Sequence, residues 1–155
     1  MSTNKRQLST GPQNTKKIAK EMTRDILKKG LQKQAVVLAL TGELGSGKTT
    51  FIQGLARGLG LEEKITSPTF VIMKSYQLPS RNIKISKYHW LYHIDCYRLE
   101  KPKEILDLGF KQIISEPKNI IAIEWADKIK TILPSNTLWL KFTFKNKTQR
   151  QIKRK

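Results

Sequence analysis

Cysteine is almost absent from this chain of 155 residues: Cys96 is the only one, which excludes an internal disulfide and any multi-cysteine metal site. Acidic residues are scarce as well, 12 Asp and Glu against 30 Lys and Arg, for a formal charge of +18. Long apolar runs are missing. The longest, Ala35–Leu40, falls far short of the roughly 20 residues that cross a bilayer. The first thirty residues also lack the apolar core of a signal peptide, so a cytoplasmic location without membrane contact is expected. What remains, 38% hydrophobic and 27% charged residues, suits a globular chain. Its length fits one domain, large enough to bury about two-thirds of its unfolded surface without staples.

The positive charge sits at the ends. Residues 1–34 hold nine basic and two acidic groups, residues 35–127 twelve and ten, and residues 128–155 nine and none, for nets of +7, +2 and +9. Basic ends of this kind suit contact with a polyanion, since each neutralised phosphate releases counterions. A solvated surface explains the same charge, and no base-reading motif accompanies it.

Along the chain, residues 1–14 are polar, hold Gly11-Pro12 and show no periodicity, which predicts a mobile basic arm. Residues 15–145 form the expected domain and 146–155 a basic C-terminal segment. Ile18, Met22 and Ile26 make one apolar stripe on a helix over Thr15–Lys29, stopped by Gly30. Ala35–Thr41 is apolar without alternation, as in a strand buried on both faces of a parallel sheet. A Gly-rich turn and a helix over Lys48–Leu59 follow, half of a βαβ unit. Strands are predicted over Phe70–Tyr76 and Trp90–Asp95, with a polar, basic connection over Gln77–Lys87. Pro102 opens a short helix over Lys103–Leu108. Asn119–Glu124 reads as a buried strand, Trp125–Leu133 as a helix, and Thr137–Phe144 as an edge or antiparallel strand. No internal repeat is present. The class is α/β: one domain with a mostly parallel central sheet, flanking helices and an antiparallel strand pair.

Residues 42–49, GELGSGKT, fit G-x-x-x-x-G-K-[ST] completely. Gly42, Gly45 and Gly47 let the backbone curl so that successive N–H groups, with those of Ser46 and Thr50, face phosphate oxygens. Lys48 reaches the β- and γ-phosphates, and the Thr49 hydroxyl holds Mg²⁺. The following helix turns its positive dipole end to the anion. A nucleoside triphosphate with Mg²⁺ is what such a loop delivers; it does not name a reaction. A loop of this kind needs a carboxylate for the metal at the end of a nearby hydrophobic strand, and Glu124 and Asp95 both qualify. Thr69, in Ser67-Pro68-Thr69, suits a loop that senses the γ-phosphate, or an ordinary turn. Trp125 reads as core or interface. His89 and His93 lack a metal-ligand pattern, and Cys96 reads as a small buried hydrophobe.

Taken together, GELGSGKTTF (42–51), SPTF (67–70), HIDCYRL (93–99) and IEW (123–125) with Leu133-Pro134 behind it make a sequence that resembles the TsaE family. That family supplies the P-loop ATPase of bacterial tRNA threonylcarbamoyladenosine synthesis. The resemblance covers roughly residues 15–145. It implies an ATP-dependent accessory protein that docks on a complex of TsaD and TsaB, where TsaD transfers threonylcarbamoyl to adenosine 37 of tRNA. Slow ATP hydrolysis by the family member supports repeated turnover. Carried over, Gly45–Thr50 wraps the phosphates, Thr49 and Glu124 hold Mg²⁺, Asp95 acts near the γ-phosphate or its attacking water, and Thr69 lies in a switch-like loop, as the resemblance implies. Lys48, Asp95, Glu124 and Thr69 are the implied catalytic set. tRNA is contacted indirectly, or directly through the basic termini. Glu43 stands where the family usually has aspartate, and the connection over Gln77–Lys87 is longer and more basic than usual.

Two other classes use the same loop. A small-molecule or nucleotide kinase is the alternative, with Arg81, Lys84 and Lys87 as a cationic lid that excludes water. A GTPase fails on its base-reading motif: Asn146-Lys147-Thr148-Gln149 has glutamine where an aspartate must accept two hydrogen bonds.

Overall fold

A computed structural model describes residues 5–81, 85 and 87–155. Residues 1–4 of the predicted arm, and Lys84 of the predicted lid, lie outside the described residues. In chain order the elements are β1 (Arg6–Ser9), α1 (Pro12–Lys29), β2 (Val36–Thr41), α2 (Lys48–Gly58), β3 (Met73–Gln77), β4 (Trp90–Asp95), α3 (Lys103–Leu106), α4 (Phe110–Ser115), β5 (Asn119–Glu124), a 3-10 helix (Ala126–Ile132), β6 (Leu138–Phe144) and β7 (Arg150–Arg154).

The strands form one sheet in the order β1-β7-β6-β2-β5-β4-β3. Its centre is parallel, β6–β2–β5–β4, and both margins are antiparallel. The least polar strands take the middle. All six residues of β5 are buried, and so are Val37–Leu40 of β2, because helices cover both faces there. Under α1 and α2 lie Leu38, Leu40, Ile120, Ala122, Leu140 and Phe142. On the other face Val37, Ala39, Ile94, Ile121 and Ile123 pack beneath Ile105, Phe110 and Ile129. The α/β class and the antiparallel β3–β4 pair follow the sequence reading.

Several boundaries are corrected. The predicted mobile arm is structured from Arg6: β1 pairs with β7, and α1 starts at Pro12 rather than Thr15. Ser9 is fully buried and its hydroxyl shares a 2.6 Å hydrogen bond with that of Thr15, which ties the strand to the helix. Residues 146–155 likewise include β7, so the sheet runs past the expected end at 145. β6 is an interior strand, parallel to β2 on one side and antiparallel to β7 on the other. β3 begins at Met73, three residues later than expected, because Ile72 adopts a φ of 66° and breaks the extended run. The segment after Trp125 is 3-10 rather than α-helical, with a kink at Ile129. Among the described residues, no helix is long and apolar enough to cross a membrane.

Candidate functional site

β2, β4 and β5 run parallel, so their C-terminal ends open at the same edge of the sheet, where ligands of open α/β sheets collect. β2 delivers the glycine-rich loop and α2 leaves it. Gly42 has a φ of 143°, and a Cβ there would lie 2.5 Å from the carbonyl oxygen of Phe142; the loop passes too close to β6 for any side chain. Gly47 caps α2 with a φ of 100°, a conformation glycine adopts without penalty. Ser46 is buried beneath the loop. Lys48 is buried too, and its ammonium donates to the carbonyls of Gly42 (2.6 Å) and Glu43 (2.9 Å). It also lies 4.4 Å from the centre of the Trp125 ring. Burial lowers the Lys48 pKa, while Glu124, Asp95 and Asp127 oppose that shift and favour the cation.

The two candidate carboxylates stand side by side, because Asp95 and Glu124 are register partners at the ends of β4 and β5. Each is held from more than one direction. Glu124 Oε1 accepts a 2.6 Å hydrogen bond from the Thr49 hydroxyl, and its Oε2 lies 2.8 Å from Nε2 of His93. Asp95 Oδ2 accepts from Ser67 (2.8 Å) and Thr69 (3.1 Å), and Oδ1 accepts the backbone N–H of Tyr97 (2.9 Å). Lys48, Thr49, Thr69, Asp95 and Glu124 thus meet in one cleft of about 370 Å³, with Gly45, Gly47 and Thr50 in its wall. A second cleft of about 300 Å³ adjoins it, shares those last three residues, and is closed by Thr10–Pro12, Lys147, Thr148 and Arg150.

His93 is the site residue that the sequence reading passed over. The signal was available: strand alternation puts it on the same face as Asp95, two positions away. Ser67 is the other addition, as a donor to Asp95. Cys96 is buried, and burial together with Asp95 pushes its thiol up to about 12, so it stays protonated and takes no part.

The donor set suits a small, hard cation that keeps oxygen ligands from elsewhere. Thr49 and Glu124 offer oxygens next to the phosphate-shaped loop. Among the described residues, no cluster of three His, Cys, Asp or Glu side chains forms a cage of its own. Mg²⁺ is bound in this manner, through one or two protein oxygens plus phosphates and waters. Leu44 and Tyr97, which line the cleft, are 75% and 46% exposed, and Phe70 and Val71, which follow Thr69 in sequence, are 83% and 57% exposed.

Comparison with known proteins places this arrangement. The family model described as "Threonylcarbamoyl adenosine biosynthesis protein TsaE" matches residues 9–152. The tRNA threonylcarbamoyladenosine biosynthesis protein TsaE of Bacillus subtilis is 38% identical over 133 residues, which is 84% of this chain and 72% of the relative. Its counterpart from Treponema pallidum is 35% identical over 108 residues, covering 70% and 73% of the two chains. The crystal structure of YdiB from Bacillus subtilis superposes with a TM-score of 0.71 at 30% identity, over 99% of this chain and 86% of that one. The family match runs from the last residue of β1 into β7 and takes in every element between them, and the chain belongs to the TsaE family of threonylcarbamoyl adenosine biosynthesis proteins.

Proposed function

We propose that the chain works in tRNA threonylcarbamoylation as a Mg-dependent ATPase, slow by itself, that docks on a TsaB–TsaD assembly. The observation that carries this reading is the convergence of Thr49, Glu124 and Asp95 at the phosphate loop. Mg-ATP held there would supply the phosphoanhydride to be cleaved and a metal charge to offset that of its phosphates.

The chain's own residues do the rest. The loop amides donate to phosphate oxygens, and the Lys48 ammonium exchanges the carbonyls of Gly42 and Glu43 for the phosphates. Thr49 and Glu124 hold the metal. Asp95 orients the attacking water, its carboxylate fixed by Ser67, Thr69 and the Tyr97 amide. The adjoining cleft beside Pro12 and Arg150 receives the ribose and base. Thr69 ties the state of the phosphates to Phe70 and Val71, which follow it in sequence and are exposed. That apolar pair is the surface offered to the partner assembly, through which tRNA is reached. The family match and the named relatives favour this function over the kinase alternative.

The test is ATP turnover by the purified chain, alone and with TsaD- and TsaB-type partners. Turnover that is slow alone and rises severalfold with partners is expected, and Lys48→Ala should abolish it in both settings. Indifference to the partners discards the coupling. A burst of ADP that needs a small acceptor and no partner moves the reading to the kinase.

A further inference from the structure

The sheet is covered unevenly. On the face carrying α3, α4 and the 3-10 helix, the packed cluster takes only Trp139 from β6 and nothing from β7 or β1. Alternation places Lys141 and Thr143 of β6, Gln151 and Lys153 of β7, and Arg6 and Leu8 of β1 on that bare face. The register aligns three of them in a row: Lys141 opposite Lys153, and Lys153 opposite Arg6. With neighbouring strands about 4.8 Å apart, the row spans roughly 10 Å.

β1, β6 and β7 contain no Asp or Glu, and among the described residues no Lys or Arg pairs with a carboxylate, the one close contact of that kind being His93–Glu124, elsewhere. Like charges directly opposite one another weaken a sheet, so folding does not explain the row. Beyond it, Lys155 donates its backbone N–H to the Trp139 carbonyl, and the Lys130 ammonium stands 6.0 Å from the Trp139 ring. Trp139 opens into a cleft of about 810 Å³ that is also lined by Glu43 of the phosphate loop and Asp127 of the 3-10 helix.

We propose that this bare face of β6, β7 and β1 is a docking surface for the phosphate backbone of RNA, with Trp139 as a stacking platform for an unpaired base at its end. An acidic protein partner fits less well, because such an interface needs an apolar centre and the face offers only Leu8 on β1 and Trp139 at its far end, with the cations between them. RNA joins phosphates with aromatic-stacking bases, which matches cations in a row beside an indole. The choice of RNA rests on the family's place in tRNA modification; the row of cations does not.

The experiment is equilibrium binding of a labelled tRNA transcript, followed over a range of salt, to the full chain and two charge-matched variants. R6Q/K141Q/K153Q strips the bare face. K20Q/R24Q/K28Q removes the same three charges from exposed positions on α1, across the sheet. The face variant should lose about tenfold or more in affinity, and its log–log salt slope should fall by about 2–3, since each phosphate contact contributes roughly 0.7–0.9. The α1 variant should lose far less. Equal losses in both, or none in the face variant, overturn the proposal. So does unchanged tRNA affinity with lost co-elution of the TsaB–TsaD assembly, which would give the face to a protein. K153Q alone, expected to lower the slope by about 1, serves if the triple variant fails to fold. ATP binding measured on the same proteins keeps the two readings apart: loss of ATP binding in the parent chain sinks the ATPase reading and leaves the RNA result standing.

Discussion

Glu124 is gripped between two side chains of different kinds, and the grip from behind has consequences. His93 is fully buried, its Nε2 faces Glu124 Oε2, and its Nδ1 has no partner. A carboxylate oxygen accepts, so the imidazole donates through Nε2, which pins the carboxylate so that Oε1 points at Thr49. His93 acts here as a positioning residue. In His93→Ala the carboxylate loses this bond, and a hydrogen bond to a charged group is worth about 1.5–3 kcal/mol. Affinity for Mg-ATP should therefore fall about tenfold or more, while affinity for metal-free ATP stays near the parent value. His93→Gln, whose amide reaches about as far as Nε2, should restore much of the difference. Titration calorimetry with and without Mg²⁺ decides: equal losses in the two conditions would make His93 a core residue and nothing else. The sequence hid this role because a histidine without a ligand partner in its own segment looks structural. Its partner arrives from β5, thirty-one residues on.

At the scale of elements, α1 crosses closely over α2, the helix that leaves the phosphate loop. That crossing depends on Gly54: a Cβ there would lie 2.5 Å from Cα and 2.6 Å from the carbonyl oxygen of Lys16, and 2.9 Å from Ala19 Cβ. Helix propensity alone favours Gly54→Ala by about 1 kcal/mol. The clash is with backbone, which cannot rotate away, and overpacking of this sort costs about 1–3 kcal/mol. Net destabilisation is expected on urea unfolding; a variant as stable as the parent would show that α1 slides freely over α2. The stripe that buries α1 (Ile18, Met22, Ile26) and the loop–helix junction at Lys48 were legible because apolar period and glycine spacing are local signals. β4 and β5 were legible down to their last residues. β1 and β7 were not: RQLS and RQIKR carry one or no large inward apolar residue, and each becomes a strand only by pairing with the opposite end of the chain. β6 alternates like an edge strand for a related reason. One face is packed by α1, and the other is left open beyond Trp139. At the site, the loop, Asp95 and Glu124 could be named from sequence, while the bonds that aim them, from Ser67 and His93, are tertiary.

The whole molecule carries +18 and, among its described residues, no Lys or Arg paired with a carboxylate, so its charges repel one another through solvent rather than cancel in pairs. Such repulsion is screened over about 10 Å at 0.1 M salt and over about 30 Å at 0.01 M. The melting temperature should accordingly rise as salt is raised from about 0.01 to about 0.2 M, opposite to what a fold held by surface ion pairs would do. The two charge-stripped variants refine this. On α1 the cations are interleaved with Glu21 and Asp25, whereas the bare face of β6, β7 and β1 has no carboxylate at all. Removing Arg6, Lys141 and Lys153 should therefore raise the low-salt melting temperature more than removing Lys20, Arg24 and Lys28. For a chain of this size each kcal/mol is worth roughly 2–4 °C, and the gap should close at high salt. If both variants melt alike at low salt, the cation row costs the fold nothing. Its retention would then need no polyanion to explain it.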